Sequence, residues 1–391
     1  FPTRRSSDLM SLRTAGTAYF HYLTGNKEHH WWDWPALLLL SGASWIYRKA
    51  VIMKYRSFAD HQERQERLPA VVISLGNITV GGTGKTPMAC MLAKELSARG
   101  WRVALLNRGY HSKREKSGAS VMSDGRMVLL TAEEGGDEAS LMARSLMGIP
   151  VLVGRDRAVS GRMAVEKFDA QVLILDDGFQ HWQLYRDVDV VLVDGTNPFG
   201  NGHVLPRGIL REPLEHLSRA DIFIITKVDQ ITQEAVSQIR EDLRRYNASA
   251  PVALSVHKPS AVLPFLNWDQ GLHPEDAIPA GLMERPVLAV SALGNPASFE
   301  ETLRGAGFTV AGVLRYEDHH HYGPSDIRRM ADLAAEKQCI LVTTEKDAVK
   351  LPADLVKEYN LPLYVLAITL EIVEGQEQID AVLQSVLEDK L

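Results

Sequence analysis

The stretch "NITVGGTGKTPMA", residues 77–89, constrains this chain more than any other. It follows the apolar run "VVISLG" and sets Gly-Lys-Thr where a helix is expected to begin. A buried strand, a glycine-rich turn at 81–84 and a helix opening at Lys85 and Thr86 together predict a phosphate-binding loop. In such a loop the N–H groups of the turn and of the helix start face anionic oxygens, and the helix dipole adds partial positive charge. Lys85 would reach the β- and γ-phosphates of a nucleotide, and Thr86 would offer a hydroxyl to Mg²⁺. Pro87 is compatible, because an N–H in the first helical turn has no helical partner. The usual motif has glycine five residues before Gly84, where this chain has Thr79, so the backbone there must take angles open to a β-branched residue. The expected nucleotide-binding set is Thr79, Gly81, Gly82, Thr83, Gly84, Lys85 and Thr86.

Around this loop, short Val/Ile/Leu runs alternate with helical patterns: "AVVISL" (70–75), "RVALL" (102–106), "PVLVG" (150–154), "QVLILDD" (171–177), "DVVLVD" (189–194) and "DIFIIT" (221–226). Continuous apolar runs mark strands buried on both faces, hence a parallel sheet with helical crossovers. A second series follows at 251–256, 286–293, 339–347 and 362–368. The fold class is therefore α/β: a P-loop NTPase-like parallel sheet with helices on both faces, plus a second, smaller α/β domain. The first domain is expected over 57–256 and the second over 286–391. The Pro-, Gly- and Asp-rich segment 257–285, which lacks periodicity, reads as the linker.

The acidic half of a nucleotide site is expected at a strand end, and "VLILDDGFQHW" supplies Asp176 and Asp177 there, one of them to serve Mg²⁺ directly or through water. "EEGGDEASLMA" (133–143) sets Asp137 and Glu138 before a helix, where an N-terminal acid would suffice as explanation. "NRGYHSK" (107–113) offers Arg108. The long Gly/Pro-rich loop 194–214 contains Arg207, Arg211 and Glu212, and long loops at strand ends are often functional. "YEDHHHYGPSD" (316–326) holds three consecutive histidines, which suit a catalytic or orienting role better than zinc. "TTEKDAVKL" (343–351) places Lys346 and Asp347 either at the site or at a helix cap. "IITKVD" (224–229) resembles the base-reading motif of GTPases, with Asp229 as the guanine acceptor, and supports an alternative reading as a soluble GTPase or metallochaperone-type switch.

Net charge is −6 over 391 residues, which supplies no general field for nucleic acid, and nothing in the sequence points to an obligatory protein partner. The two cysteines, Cys90 and Cys339, are too few and too far apart for a disulfide framework. Residues 1–9, "FPTRRSSDL", match one reading frame of a common sequencing-adapter oligonucleotide, which predicts an artefactual leader with Met10 as the start. Residues 10–56 form an N-terminal segment whose apolar core, Trp34 to Tyr47, falls short of a membrane span. Its four tryptophans beside Arg48, Lys49, Lys54 and Arg56 suit a membrane–water boundary, whereas the plain alternative is a helix packed on the core.

The pieces "GNITVGGTGKTP", "NRGY", "GDE", "DDGFQH", "NPFGNGHVLPRGILREP", "DHHHY" and "TTEKDAVKL", in this order from about residue 70 to 351, resemble the tetraacyldisaccharide 4′-kinases, the lipid A 4′-kinases of Gram-negative bacteria. Members of that family carry Ser or Thr at the position of Thr79. The resemblance implies ATP- and Mg²⁺-dependent phosphorylation of the 4′-hydroxyl of a lipid A disaccharide 1-phosphate at the cytoplasmic face of the inner membrane. It implies that Lys85 and Thr86 bind phosphate and Mg²⁺, that Asp176 and Asp177 serve the metal, and that Glu212 is an acidic active-site residue. Asp137 matches the general base, and His319, or His320 if the register shifts by one, matches its histidine partner. This chain departs from the family at Ala139, where proline is usual. With Asp137 in the first domain and His319 in the second, closure is expected to assemble the site.

Overall fold

The structure, a computed structural model, describes residues 19–20, 22–25, 30–110, 112–115, 118–270, 281–294, 296–317 and 320–390. The expected leader at 1–9 and His319 lie outside them. Twelve strands form one sheet: β1 (Val71–Gly76), β2 (Val103–Asn107), β3 (Ser120–Ser123), β4 (Val151–Val153), β5 (Val172–Asp176), β6 (Val188–Asp194), β7 (Ile222–Thr226), β8 (Val252–Pro264), β9 (Val287–Ser291), β10 (Val310–Arg315), β11 (Ile340–Thr344) and β12 (Leu363–Glu374). Their order across the sheet is β10-β9-β11-β12-β8-β7-β6-β1-β5-β2-β4-β3. Every neighbouring pair is parallel except β8 with β12 and β3 with β4. The two strands absent from the sequence reading, β3 and β10, are the two sheet edges. An edge strand needs no continuous apolar run, and β10 is mostly solvent-facing.

Both faces of the first half are covered, which is why its strands are unbroken apolar runs. Val71, Ile73 and Leu75 of β1 pack with Met88 and Leu92 of helix α2 (Lys85–Ala98). Val72, between them, turns to the other face with Leu106 and Leu173 and meets Ala158 and Ala164 of a helix at Arg157–Phe168. Side chains that alternate across a strand therefore build two cores with β1 between them.

The segment 257–285 differs from the expected linker. Strand β8 runs through it to Pro264, and a short helix, Phe265–Asp269, follows. Two prolines disguised the strand. Pro259 sits at a register shift opposite Ala367 and Ile368, and Pro264 is the last strand residue, positions where a missing ladder donor is tolerated.

Near the N-terminus, helix α1 (Trp34–Ala59) carries Pro35 in its first turn, where proline starts a helix instead of breaking it. With the preceding turn, Trp31–Ala59 spans 29 residues and is long and apolar enough to cross a membrane by length and composition alone. The sequence reading had ended the apolar stretch at Tyr47. Only Leu37 and Ser44 of α1 are buried. Its Ser44 hydroxyl donates to the Val204 carbonyl at 2.7 Å and accepts the Arg207 N–H at 2.9 Å, and the Tyr47 hydroxyl donates to the Arg211 carbonyl at 3.0 Å. The helix is thus bound to the loop 194–214.

Candidate active site

The carboxyl ends of β1, β2, β5, β6 and β7 converge, as parallel sheets arrange their ligand sites. At the end of β1, Thr79 is buried and bridges antiparallel to Leu210, while the Val80 N–H donates to the Ile209 carbonyl at 2.8 Å. An extended, paired backbone is where a β-branched residue fits, so threonine at this position involves no strain. Gly84 has φ +87°, and a Cβ there would lie 2.6 Å from His257 Nε2 of β8, so glycine is required both for the angle and for the close approach. Gly81 and Gly82 form the exposed part of the turn. The Thr83 carbonyl accepts the Thr226 hydroxyl at 3.1 Å, and the Gly82 carbonyl accepts Lys227 Nζ at 3.2 Å. The "TKVD" residues therefore brace the loop from behind, with Lys227 also paired to Asp194, and Asp229 is exposed.

Lys85 opens α2, and its Nζ lies 3.2 Å from Asn77 Oδ1 and 3.5 Å from Asp177 Oδ1. Asp177 has φ +53° and takes a two-pronged contact from Arg211 at 2.7 and 3.0 Å. Burial pushes the Asp177 carboxyl up, but Lys85 and Arg211 outweigh it and hold the group well below the usual carboxylate range. Asp176 differs. Its Oδ2 accepts Asn107 Nδ2 at 2.9 Å, while its buried Oδ1 has no hydrogen-bond partner. Burial, then the charges of Glu138 and Asp177, raise Asp176 to about 7.

This donor set fits a hard divalent cation. Asp176 Oδ1 is an oxygen without a partner, and Thr86 stands half-buried on the first turn of α2, one residue past Lys85. Both Asp177 oxygens are occupied by Arg211, which suits it to holding cations of the protein. Among the described residues no three His, Cys, Asp or Glu side chains form a metal cage, and Mg²⁺ requires none, since it keeps waters and takes few carboxylates.

Asp137 is the first residue of helix α3 (Asp137–Ser145). Before it, Gly136 has φ +98°, and a Cβ there would lie 3.3 Å from the Gly109 backbone. The "NRGY" and "GGDE" loops are thus in close backbone contact, and α3 packs on α2, with Ala139 and Met142 in the same core as Met88 and Leu92. Helix α3 also faces the second half. It touches the Glu345–Ala348 turn, Leu141 packs on that half's core, and Arg144 Nη1 lies 3.0 Å from Asp269 Oδ1.

Glu212 is fully buried and has no exposed oxygen to offer a substrate. His216 Nδ1 lies 2.7 Å from Oε2, Gln180 Nε2 donates to Oε1 at 2.7 Å, and Arg219 lies 3.1 Å from Oε2. Gln180 also donates to the Asn77 carbonyl at 2.9 Å, so Glu212 holds the phosphate loop in place through Gln180. In the second half, His320 Nε2 lies 3.0 Å from Asp326 Oδ2 and its ring stacks on Tyr316 at 4.6 Å. Asp347 is buried and accepts Thr344 Oγ1 at 2.8 Å and the Ala292 N–H at 3.1 Å, with Lys350 2.8 Å away, which is the helix-cap reading of that motif. Sequence reasoning did not find Asn77, Asn107, Gln180 or His216, because amides and a histidine inside loop motifs carry no chemistry until their partners are in place. It also did not find Arg157, a buried guanidinium lowered to about 10 by burial and affected by the charges of both aspartates.

The family profile described as "LpxK: Tetraacyldisaccharide-1-P 4'-kinase" matches residues 36–388. The tetraacyldisaccharide 4′-kinase of Halothermothrix orenii is 41% identical over 348 residues, covering 87% of this chain and 90% of that protein. That of Anaeromyxobacter dehalogenans is 43% identical over 318 residues, covering 81% and 82%. Among solved structures, LpxK from Aquifex aeolicus in complex with ATP superposes with a TM-score of 0.72 at 28% identity, covering 90% of this chain and 99% of that one. With a phosphate loop and an aspartate pair at the carboxyl end of one sheet, and with these matches over most of its length, this chain belongs to the tetraacyldisaccharide 4′-kinase family.

Proposed function

We propose that this chain transfers the γ-phosphoryl group of ATP to the 4′-hydroxyl of a tetraacyldisaccharide 1-phosphate, working at the cytoplasmic face of the inner membrane. One observation supports the reading: Lys85 lies 3.5 Å from Asp177 at the carboxyl end of the sheet, and the helix that Asp137 opens packs on the helix that Lys85 opens. The turn 81–84 cradles the nucleotide phosphates, and Lys85 neutralises charge as the bond to the β–γ bridging oxygen breaks. Asp137 accepts the proton of the 4′-hydroxyl while its oxygen bonds to the γ-phosphorus, and ADP leaves. Thr86 and Asp176 would hold Mg²⁺, which when bound neutralises the phosphate oxygens. Arg211, fixed by Asp177, keeps a cation beside Lys85, and His319 is assigned to orient Asp137. The exposed rings of Trp31, Trp32, Trp34 and Trp45 suit α1 to the bilayer surface where the acyl chains of the acceptor lie.

The test is to incubate the protein with labelled ATP or GTP and the disaccharide precursor. Labelled lipid from ATP is expected. Guanine-selective hydrolysis without labelled lipid would support the switch reading instead.

A further inference from the structure

Between α1 and the segment after Pro213 lies a groove of about 660 Å³, lined by no residue that the proposed reaction gives a role. Arg48, Lys49 and Arg56 of α1 line one wall with Ile52 and Met53, and His216 lines the other. Its only carboxylate among the described residues, Glu215, is already paired with Arg48 at 2.7 Å. The groove is therefore net positive, with Lys49 and Arg56 both exposed. Beside it α1 presents an apolar surface to solvent: Leu39 is 77% exposed, Met53 68%, Ile46 65% and Trp45 63%. Lys49 Nζ stands 5.7 Å from the Trp45 ring centroid. Cations in a concave pocket bordered by exposed apolar and indole side chains match a phosphate that carries acyl chains: the phosphate enters the groove and the chains lie along the helix. A protein partner would need a further apolar surface to cover α1, whereas a bilayer covers it without one.

We propose that this groove binds the phosphodiester headgroup of an anionic phospholipid, separately from the acceptor lipid. This rests on the membrane-surface part of the proposed function and not on its chemistry. The groove also borders the machinery: His216 lines it and is bonded to Glu212, which is bonded to Gln180, which is bonded to the Asn77 carbonyl.

The experiment uses the full chain without nucleotide or acceptor. Dihexanoylphosphatidylglycerol is titrated below its micelle concentration and followed by calorimetry, so that no charged surface contributes. Saturable binding is expected, weakened about tenfold or more by the double substitution Lys49→Ala/Arg56→Ala, at roughly 1 kcal/mol for each cation removed. Arg64→Ala, which removes one charge outside the groove, is expected to change it less than about twofold. Absence of saturable binding, or equal weakening by Arg64→Ala, overturns the proposal. So does one-for-one displacement by the disaccharide 1-phosphate, which would give the groove to the acceptor. Because no kinase step is measured, failure of the kinase reading and failure of this site are told apart.

Discussion

Burial raises both Asp176 and Asp177, and of the two only Asp177 holds a guanidinium against both oxygens. The sequence showed the pair and its place at a strand end, but not this division, because it depends on Arg211 arriving from a loop 34 residues away. Asp176 depends on a different neighbour. Asn107 Nδ2 fixes one oxygen, and Asn107 Oδ1 is itself fixed by the Gly109 N–H at 2.7 Å, so the free oxygen points in one direction. We infer that Asn107 positions Asp176. Asn107→Ala is expected to lower kcat/KM roughly 10–100-fold, the usual cost of losing such a supporting partner. The decrease should be partly reversed by raised Mg²⁺ concentration. Steady-state kinetics at two Mg²⁺ concentrations check both outcomes, and an unchanged kcat/KM would remove Asn107 from the machinery.

At the scale of elements, the strands of the first half were legible because each is buried on both faces, while the second half of β8 was hidden by Pro259 and Pro264 and α1 was cut short at Tyr47 by the cations that follow it. The ties between loops were not legible, and Glu212 is the main one, joining the turn after β5, the loop 194–214 and, through Gln180, the turn after β1. Burial raises its pKa, but His216, Arg219 and Gln180 together bring it below its ordinary 4.5. A carboxyl lowered in the folded state adds stability above its unfolded pKa and loses it as pH falls through the folded value. Glu212→Gln is therefore expected to lower Tm most near neutrality, with the gap to the parent closing as pH falls below about 4.5. Thermal melts across that range check the sign. A gap that widens in acid would mean Glu212 is protonated in the folded protein.

For the whole molecule, the family motifs gave the order of the pieces and the structure gave their arrangement. Helix α3, which carries Asp137, is held by both halves: Gly136 against Gly109 on one side, and Leu141 and Arg144 against the second half on the other. The Arg144 guanidinium also lies 5.6 Å from the Trp268 ring. Arg144→Ala should loosen this hold, lowering kcat roughly tenfold while nucleotide Kd changes less than about twofold, since the phosphate loop is untouched. Rapid-quench turnover and equilibrium binding separate the two. A matching loss of nucleotide affinity would show that the contact supports the fold and not the alignment of α3.

The antiparallel pairing of β8 and β12 has a mechanical consequence. Residues 252–254 of β8 pair with β7, whereas 262–264 pair with the part of β12 that neighbours β11. Because this single seam reverses direction, the carboxyl ends of the two half-sheets point toward each other and not the same way. The halves are spliced by a two-stranded ribbon with an irregularity at its middle, between Ala367 and Ile368. Such a ribbon resists stretching along its ladder more than it resists twist, so any rotation of one half-sheet against the other is expected to be taken up there.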